Sequence, residues 1–196
     1  MDTRILLEVE PDLRPGFLGL LGYGFFVDVK IGCSLKEFLS DYMGFDPEYI
    51  EDRIQTIFLD GKAVDNIESC AIKNGSSIAL SAAMPGVVGA TLRRKSHYAS
   101  MRGQISHENE PSLGSGTKGR VTVKLFNLIA KELGNELLEH GIRVNGVDFK
   151  RFIDKLDKNF IEGIKSTQIN ETMVGREKLA ETAYEGKNII LSVTKG

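Results

Sequence analysis

Two distant stretches of the chain follow one plan. IQTIFLDGKAVDNIESCAIKNGSSIALSA at 54–82 and IKSTQINETMVGREKLAETAYEGKNIILSVT at 164–194 each open on a strand-like segment. Each then passes through turns and a polar middle to a closing run of small and β-branched apolar residues. VDVK at 27–30 likewise matches VTVK at 121–124. A repeat of this size is the strongest constraint in the sequence. It predicts two similar units within 196 residues rather than one large domain. Units that small lie near the lower limit for a self-sufficient core, so burial between them is useful.

Between and before the repeats, the periodicity places the other elements. RILLEVE at 4–10 and FFVDVKIG at 25–32 alternate as strands. SLKEFLSDYMG at 34–44 predicts a helix, with Leu35, Phe38, Leu39 and Tyr42 on one face. Ser34 and Glu37 form a capping box at its start, and Gly44 is a stop. DPEYIEDR predicts a short helical turn, Asp60-Gly61 a hairpin turn, and SIALSAA at 77–83 another strand. The order strand, strand, helix, strand, strand predicts a mixed sheet with one face covered by the helix. In the second half, GRVTVKLFN predicts a strand and LIAKELGNELLEHG a helix. GIRVNGVDF is extended with a turn at Asn145-Gly146, and VDFKRFIDKL is helical. IKSTQINETMV at 164–174 and KNIILSVTKG predict further strands.

The formal charge of −2 conceals an uneven distribution. Residues 1–90 hold seven basic and fourteen acidic side chains. Residues 91–120 reverse this, with Arg93, Arg94, Lys95, Arg102, Lys118 and Arg120 against Glu108 and Glu110. A sequence pI near 6.0 argues against nucleic acid as a partner. The basic segment is expected to seek an acidic surface, and the nearest is the chain's own first half. It is rich in glycine and lacks sustained periodicity, although Leu92, Tyr98, Met101 and Ile105 offer anchoring points. ENEPSLGSGTKG at 108–119 is the clearest linker.

No catalytic constellation emerges. GSGTKGR at 114–120 resembles a phosphate loop but lacks the Walker spacing and the preceding strand. His97, His107 and His140 have no ligand spacing that would predict a metal site. Asp46, Glu48, Glu51 and Asp52 form an acidic run best read as a solvated face or a helix start. Cys33 and Cys70 stand alone and are expected as reduced, partly buried thiols. No cofactor is implied. MDTRILLEVE lacks a signal-peptide pattern, and the apolar stretch at 16–26 is too short and glycine-rich to span a bilayer. The expectation is a cytoplasmic protein with no membrane partner. GFLGLLGYG at 16–24 is the most unusual stretch, with Phe17, Leu18, Leu20, Leu21 and Tyr23 in a connection that ordinarily needs only turn residues. It either folds over a small core or forms an exposed contact for a partner.

The second half, with VTVKLFNLIAKELG, Ile169-Asn170, Glu185-Gly186 and a VTKG ending, resembles the ubiquitin-like sulfur carriers of molybdopterin and thiamin biosynthesis, notably the small subunit of molybdopterin synthase. LDGKAV, Lys73-Asn74-Gly75 and SIALSAAMPG carry the same likeness into the first half. The resemblance implies an α+β fold of two β-grasp (ubiquitin-like, ββαββ) domains in tandem, with mixed sheets. The expected boundaries are 1–86, a basic glycine-rich linker over 87–120, and 121–196. It also implies activation at a C-terminal Gly-Gly; here Lys195 stands where the first glycine belongs and Gly196 supplies the terminal one. SAAMPGVVG at 81–89 is the corresponding exit from the first domain, with Val87 in the second glycine's place. Three functions remain open on this reading. The first is a non-catalytic interaction or adaptor module that binds another protein or a second copy of itself. Its contacts would be Phe17, Leu18, Leu20, Leu21, Tyr23, Arg93, Arg94, Lys95 and Arg102. The second is a divergent sulfur carrier acting through Gly196. The third is a small-molecule enzyme whose site the sequence does not mark.

Overall fold

The computed structural model describes residues 2–98, 102 and 116–196. They form two compact mixed α/β units, one of Met1–Phe25 with Ala130–Gly196, the other of Phe26–Ile129.

In the continuous unit, β2 (Phe25–Lys30) leads into a capped helical segment, α2 (Leu35–Glu37), which widens into a π-helical turn over Phe38–Tyr42. The capping box forms as expected. Ser34 Oγ accepts from the Glu37 amide at 3.1 Å, and the Ser34 amide donates to Glu37 Oε2 at 2.7 Å. Leu35, Phe38 and Leu39 are fully buried. α3 (Pro47–Asp52) follows, capped by Asp46, whose carboxylate accepts from the Glu48 amide at 2.8 Å. β3 (Thr56–Leu59) and β4 (Lys62–Ala63) form a hairpin through Asp60 and Gly61, whose φ values of 51° and 80° suit the twist of the flanking strands. β5 (Ser77–Ser81), α4 (Gly86–Leu92) and β6 (Lys118–Phe126) complete the unit. Its strands run in the order β4-β3-β5-β6-β2, with β5 and β6 parallel in the register Ile78↔Val123 and Leu80↔Leu125.

The other unit begins with β1 (Asp2–Val9), a 3₁₀ turn over Pro11–Phe17 and α1 (Leu18–Tyr23). It resumes at Ala130 within α5 (Asn127–His140) and continues through β7 (Ile142–Asn145), α6 (Gly146–Ile153) and α7 (Lys158–Glu162). β8 (Ile164–Ile169), β9 (Thr172–Val174), α8 (Lys178–Glu181) and β10 (Asn188–Lys195) end the chain. The order is β7-β10-β1-β8-β9. β1 is strictly alternating, with Ile5, Leu7 and Val9 buried, and pairs in parallel with β10, so that Ile5 meets Leu191 and Leu7 meets Val193.

Three local expectations change. The stretch 164–174 is a hairpin rather than one strand, turning at Asn170 and Glu171 with φ of 48° and 67°. Asn145 caps α6 instead of making a turn, its side chain accepting from the Val147 amide at 2.8 Å. VDVK and VTVK, matched in sequence, lie on β2 and β6, which are neighbours in one sheet. The units also depart from the ranges 1–86 and 121–196. Both central parallel pairs, β5 with β6 and β1 with β10, join strands from opposite halves of the sequence. Parallel neighbours cannot be joined by a tight turn, so alternation along a strand does not reveal its partner.

Candidate functional site

The stretch after β5, expected from the sequence as an exit, is helical over Gly86–Leu92. Pro85 takes the N-cap position of α4, and Gly89 packs so tightly that a Cβ there would lie 2.1 Å from the Met84 carbonyl oxygen. α4 therefore needs glycine at this contact. Val87 and Val88 point away from the core and are 81% and 71% exposed.

The basic residues that follow are consumed by the acidic first half. Arg94 is buried, and its guanidinium donates to the carbonyls of Ile50 and Ile54, both at 3.1 Å, and to Glu51 at 3.3 Å. Arg102 is also buried and meets Asp65 in a two-pronged pair at 2.8 and 3.0 Å. It also donates to the carbonyls of Arg93, at 2.9 Å, and Thr91. Lys95, in a left-handed conformation with φ of 55°, reaches Glu51 from the surface. The hydrogen bond from Lys95, with Arg94 beside it, holds the Glu51 carboxyl below its ordinary range. Arg94 and Arg102 are thus buried fastenings for α4; Arg93 and Lys95 remain exposed. Met101, Ile105, His107 and most of the 108–119 linker lie outside the described residues.

The apolar loop is likewise internal. Phe17, Leu20 and Leu21 are completely buried, and Leu18 and Tyr23 are half-buried. Phe17 sits 5.7 Å from the Phe152 ring and 5.2 Å from Phe160. Leu18 and Leu21 close on Gly134 of α5, where any Cβ would fall 2.3 and 2.7 Å from their methyl groups. Buried Arg14 fastens the loop to the same helix, donating to the Asn135 carbonyl at 3.0 Å and pairing with Glu139 at 3.2 Å. The Lys155 ammonium donates to the Tyr23 hydroxyl at 2.7 Å. These residues fold over a core, the first of the two possibilities the sequence left open.

Gly196 and Lys195 are exposed but not loose. Lys195 pairs with Val9 in the β1–β10 ladder, the Gly196 amide donates to the Val9 carbonyl at 3.1 Å, and Lys165 donates to Gly196 O at 3.0 Å.

Neither cysteine forms a disulfide; Cys70 is buried, while Cys33 lines a cleft of about 410 Å³ with Glu37 and Asp41. Partial burial, then the Glu37 carboxylate, push the Cys33 thiol above its ordinary value of 9.0. A nucleophilic cysteine needs the opposite shift. Among the described residues, no group of three or more His, Cys, Asp and Glu side chains is placed to hold a metal, and no helix is long and apolar enough to cross a membrane.

A second groove of about 680 Å³, which the sequence reading missed, lies where β2 meets the start of β6. It is lined by Asp28, Val29, Lys30, Tyr42, Asn74 and residues 116 and 118–120. Its only forewarning in the sequence is GSGTKGR, whose end opens β6.

The chain matches no family model, no curated protein and no solved structure.

Proposed function

We propose that this protein is a non-catalytic interaction module built on β-grasp-like sheets, with α4 as its contact surface for another protein or a second copy of the chain. The observation that carries this reading is the pair Val87-Val88. Adjacent β-branched side chains at 81% and 71% exposure weaken a helix through restricted rotamers and gain no packing in return. Contact with an apolar partner surface would supply that packing. The latch through Arg94 and Arg102 supports the reading further, because a fixed helix loses little entropy on binding. The central parallel pair and the buried helix face of Phe26–Ile129 support the β-grasp comparison.

The test is affinity capture and sedimentation of the full chain against a Val87→Asp/Val88→Asp variant. The wild type is expected to self-associate or to retain a stoichiometric partner, and the variant to lose that association by at least tenfold with its melting temperature unchanged. A wild-type chain that stays monomeric and captures nothing above background would defeat the proposal.

Sulfur transfer through Gly196 is the second reading, favoured by the exposure of that residue. It would require Lys195 and Gly196 to peel away from Val9. A thiocarboxylate would raise the intact mass of the native protein by about sixteen units as sulfur replaces oxygen.

A further inference from the structure

The groove between β2 and the start of β6 has the charge and shape of a binding site, separate in its residues from α4. Phe26, Asp28 and Lys30 alternate on one face of β2, and Lys118 and Arg120 on one face of neighbouring β6. Arg120 is held from several sides. Its guanidinium lies 5.5 Å over the Phe26 ring, its Nε donates to Asp28 at 2.8 Å, and its backbone amide donates to Asn74 Oδ1 at 3.0 Å. The backbone closes in through glycine. A Cβ on Gly119 would lie 2.4 Å from the Ile31 side chain and 2.8 Å from Asn74 Oδ1. Tyr42 is held beside Lys30, its hydroxyl accepting from the Lys30 amide at 3.2 Å.

The electrostatics are unbalanced in one direction. Within the groove's own lining, Lys30, Lys118 and Arg120 face a single carboxylate, Asp28, while Glu37 and Asp41 line the adjoining cleft that shares Lys30 and Tyr42. The ammonium groups of Lys30 and Lys118 and the terminal nitrogens of Arg120 have no acceptor among the described residues. Elsewhere the lysines commonly find partners, as Lys36, Lys95, Lys150 and Lys178 do. Three cations against one anion leave room for two negative charges. A phosphate monoester carries about −1.5 to −2 near neutral pH, whereas one carboxylate carries −1. The volume of about 680 Å³ exceeds that of a lone phosphate and falls within the range of small-molecule sites. The Tyr42 ring supplies apolar wall for the remainder.

We propose that this groove binds a phosphorylated small molecule with an apolar or aromatic body, its phosphate held by Lys30, Lys118 and Arg120. Lys118 and Arg120 thus contribute to a phosphate site through side chains opening a strand, not through a loop entering a helix.

The test is calorimetric titration of the full chain with phenyl phosphate, inorganic phosphate, benzoate and benzyl alcohol. Phenyl phosphate is expected to bind at least tenfold tighter than each of the others, with affinity falling as salt rises. Lys30→Gln and Lys118→Gln should each weaken it by about tenfold, the worth of one charge-assisted hydrogen bond, while Lys178→Gln does not. Circular dichroism confirms that each variant is folded. No binding of phenyl phosphate, equal binding of benzoate or inorganic phosphate, or binding insensitive to both groove lysines would each overturn the assignment. None of these outcomes touches the Val87-Val88 reading, which is tested on another surface.

Discussion

At the scale of single residues, the sequence marks charge but not its destination. Arg102 and Asp65 stand far apart in sequence, yet the guanidinium is fully buried and its carboxylate partner is partly in water. Arg102→Ala removes several hydrogen bonds at once and is expected to cost about 3 kcal/mol in urea denaturation. Arg102→Lys should recover only part of this, because an ammonium cannot reproduce the two-pronged contact. The Glu51 carboxyl titrates below its ordinary value in the folded chain, so its stabilising contribution is complete above that value. That contribution falls away as pH drops below about 4.5, through the depressed folded value. Denaturation midpoints of wild type and Glu51→Gln should therefore converge as pH falls below about 4.5, with the wild type more stable above. Cys33 behaves oppositely. Its raised value predicts slow alkylation at pH 8, with a rate that climbs steadily with pH and inflects only above pH 9. An inflection near pH 7 in iodoacetamide kinetics would contradict this and reopen a reactive-thiol role.

At the scale of elements, local chemistry was legible wherever a side chain bonds its own backbone neighbourhood. The Ser34–Glu37 box and the Asp60-Gly61 turn form as their residues require. The apolar run at 16–24 was not decidable from sequence, because leucines report burial without naming the surface that covers them. Its fate depends on Gly134, more than a hundred residues away, leaving space for Leu18 and Leu21. Leu21→Ala is accordingly expected to destabilise the fold by about 2–5 kcal/mol, as for other buried leucines. An exposed-contact role would instead leave the melting temperature unchanged. The helical state of 86–92 was equally hidden. Two prolyl and glycyl positions suggest an exit from a domain, and only the packing of Gly89 on Met84 and the fastening of Arg94 turn that exit into a helix.

At the scale of the whole molecule, the chain interleaves its halves. The unit Phe26–Ile129 is continuous, whereas the other is assembled from both ends of the sequence. Residues 26–129 expressed alone are expected to unfold cooperatively in urea. Residues 1–86 alone lack β6, the parallel partner of β5, and are expected to show no cooperative transition. Cooperative unfolding of 1–86 as a monomer would show that β1 can take the place of β6. The sequence by itself determined most of the strands, the capped helix, the hairpin turn at Asp60-Gly61 and the surplus of acid that draws in Arg94 and Arg102, because each depends on neighbours a few residues away or on net charge. Only the tertiary structure decided which strands became parallel partners, that the 16–24 run is core, and that Lys30, Lys118 and Arg120 share one groove. Those outcomes rest on contacts between distant residues, whose register and fit no local pattern encodes.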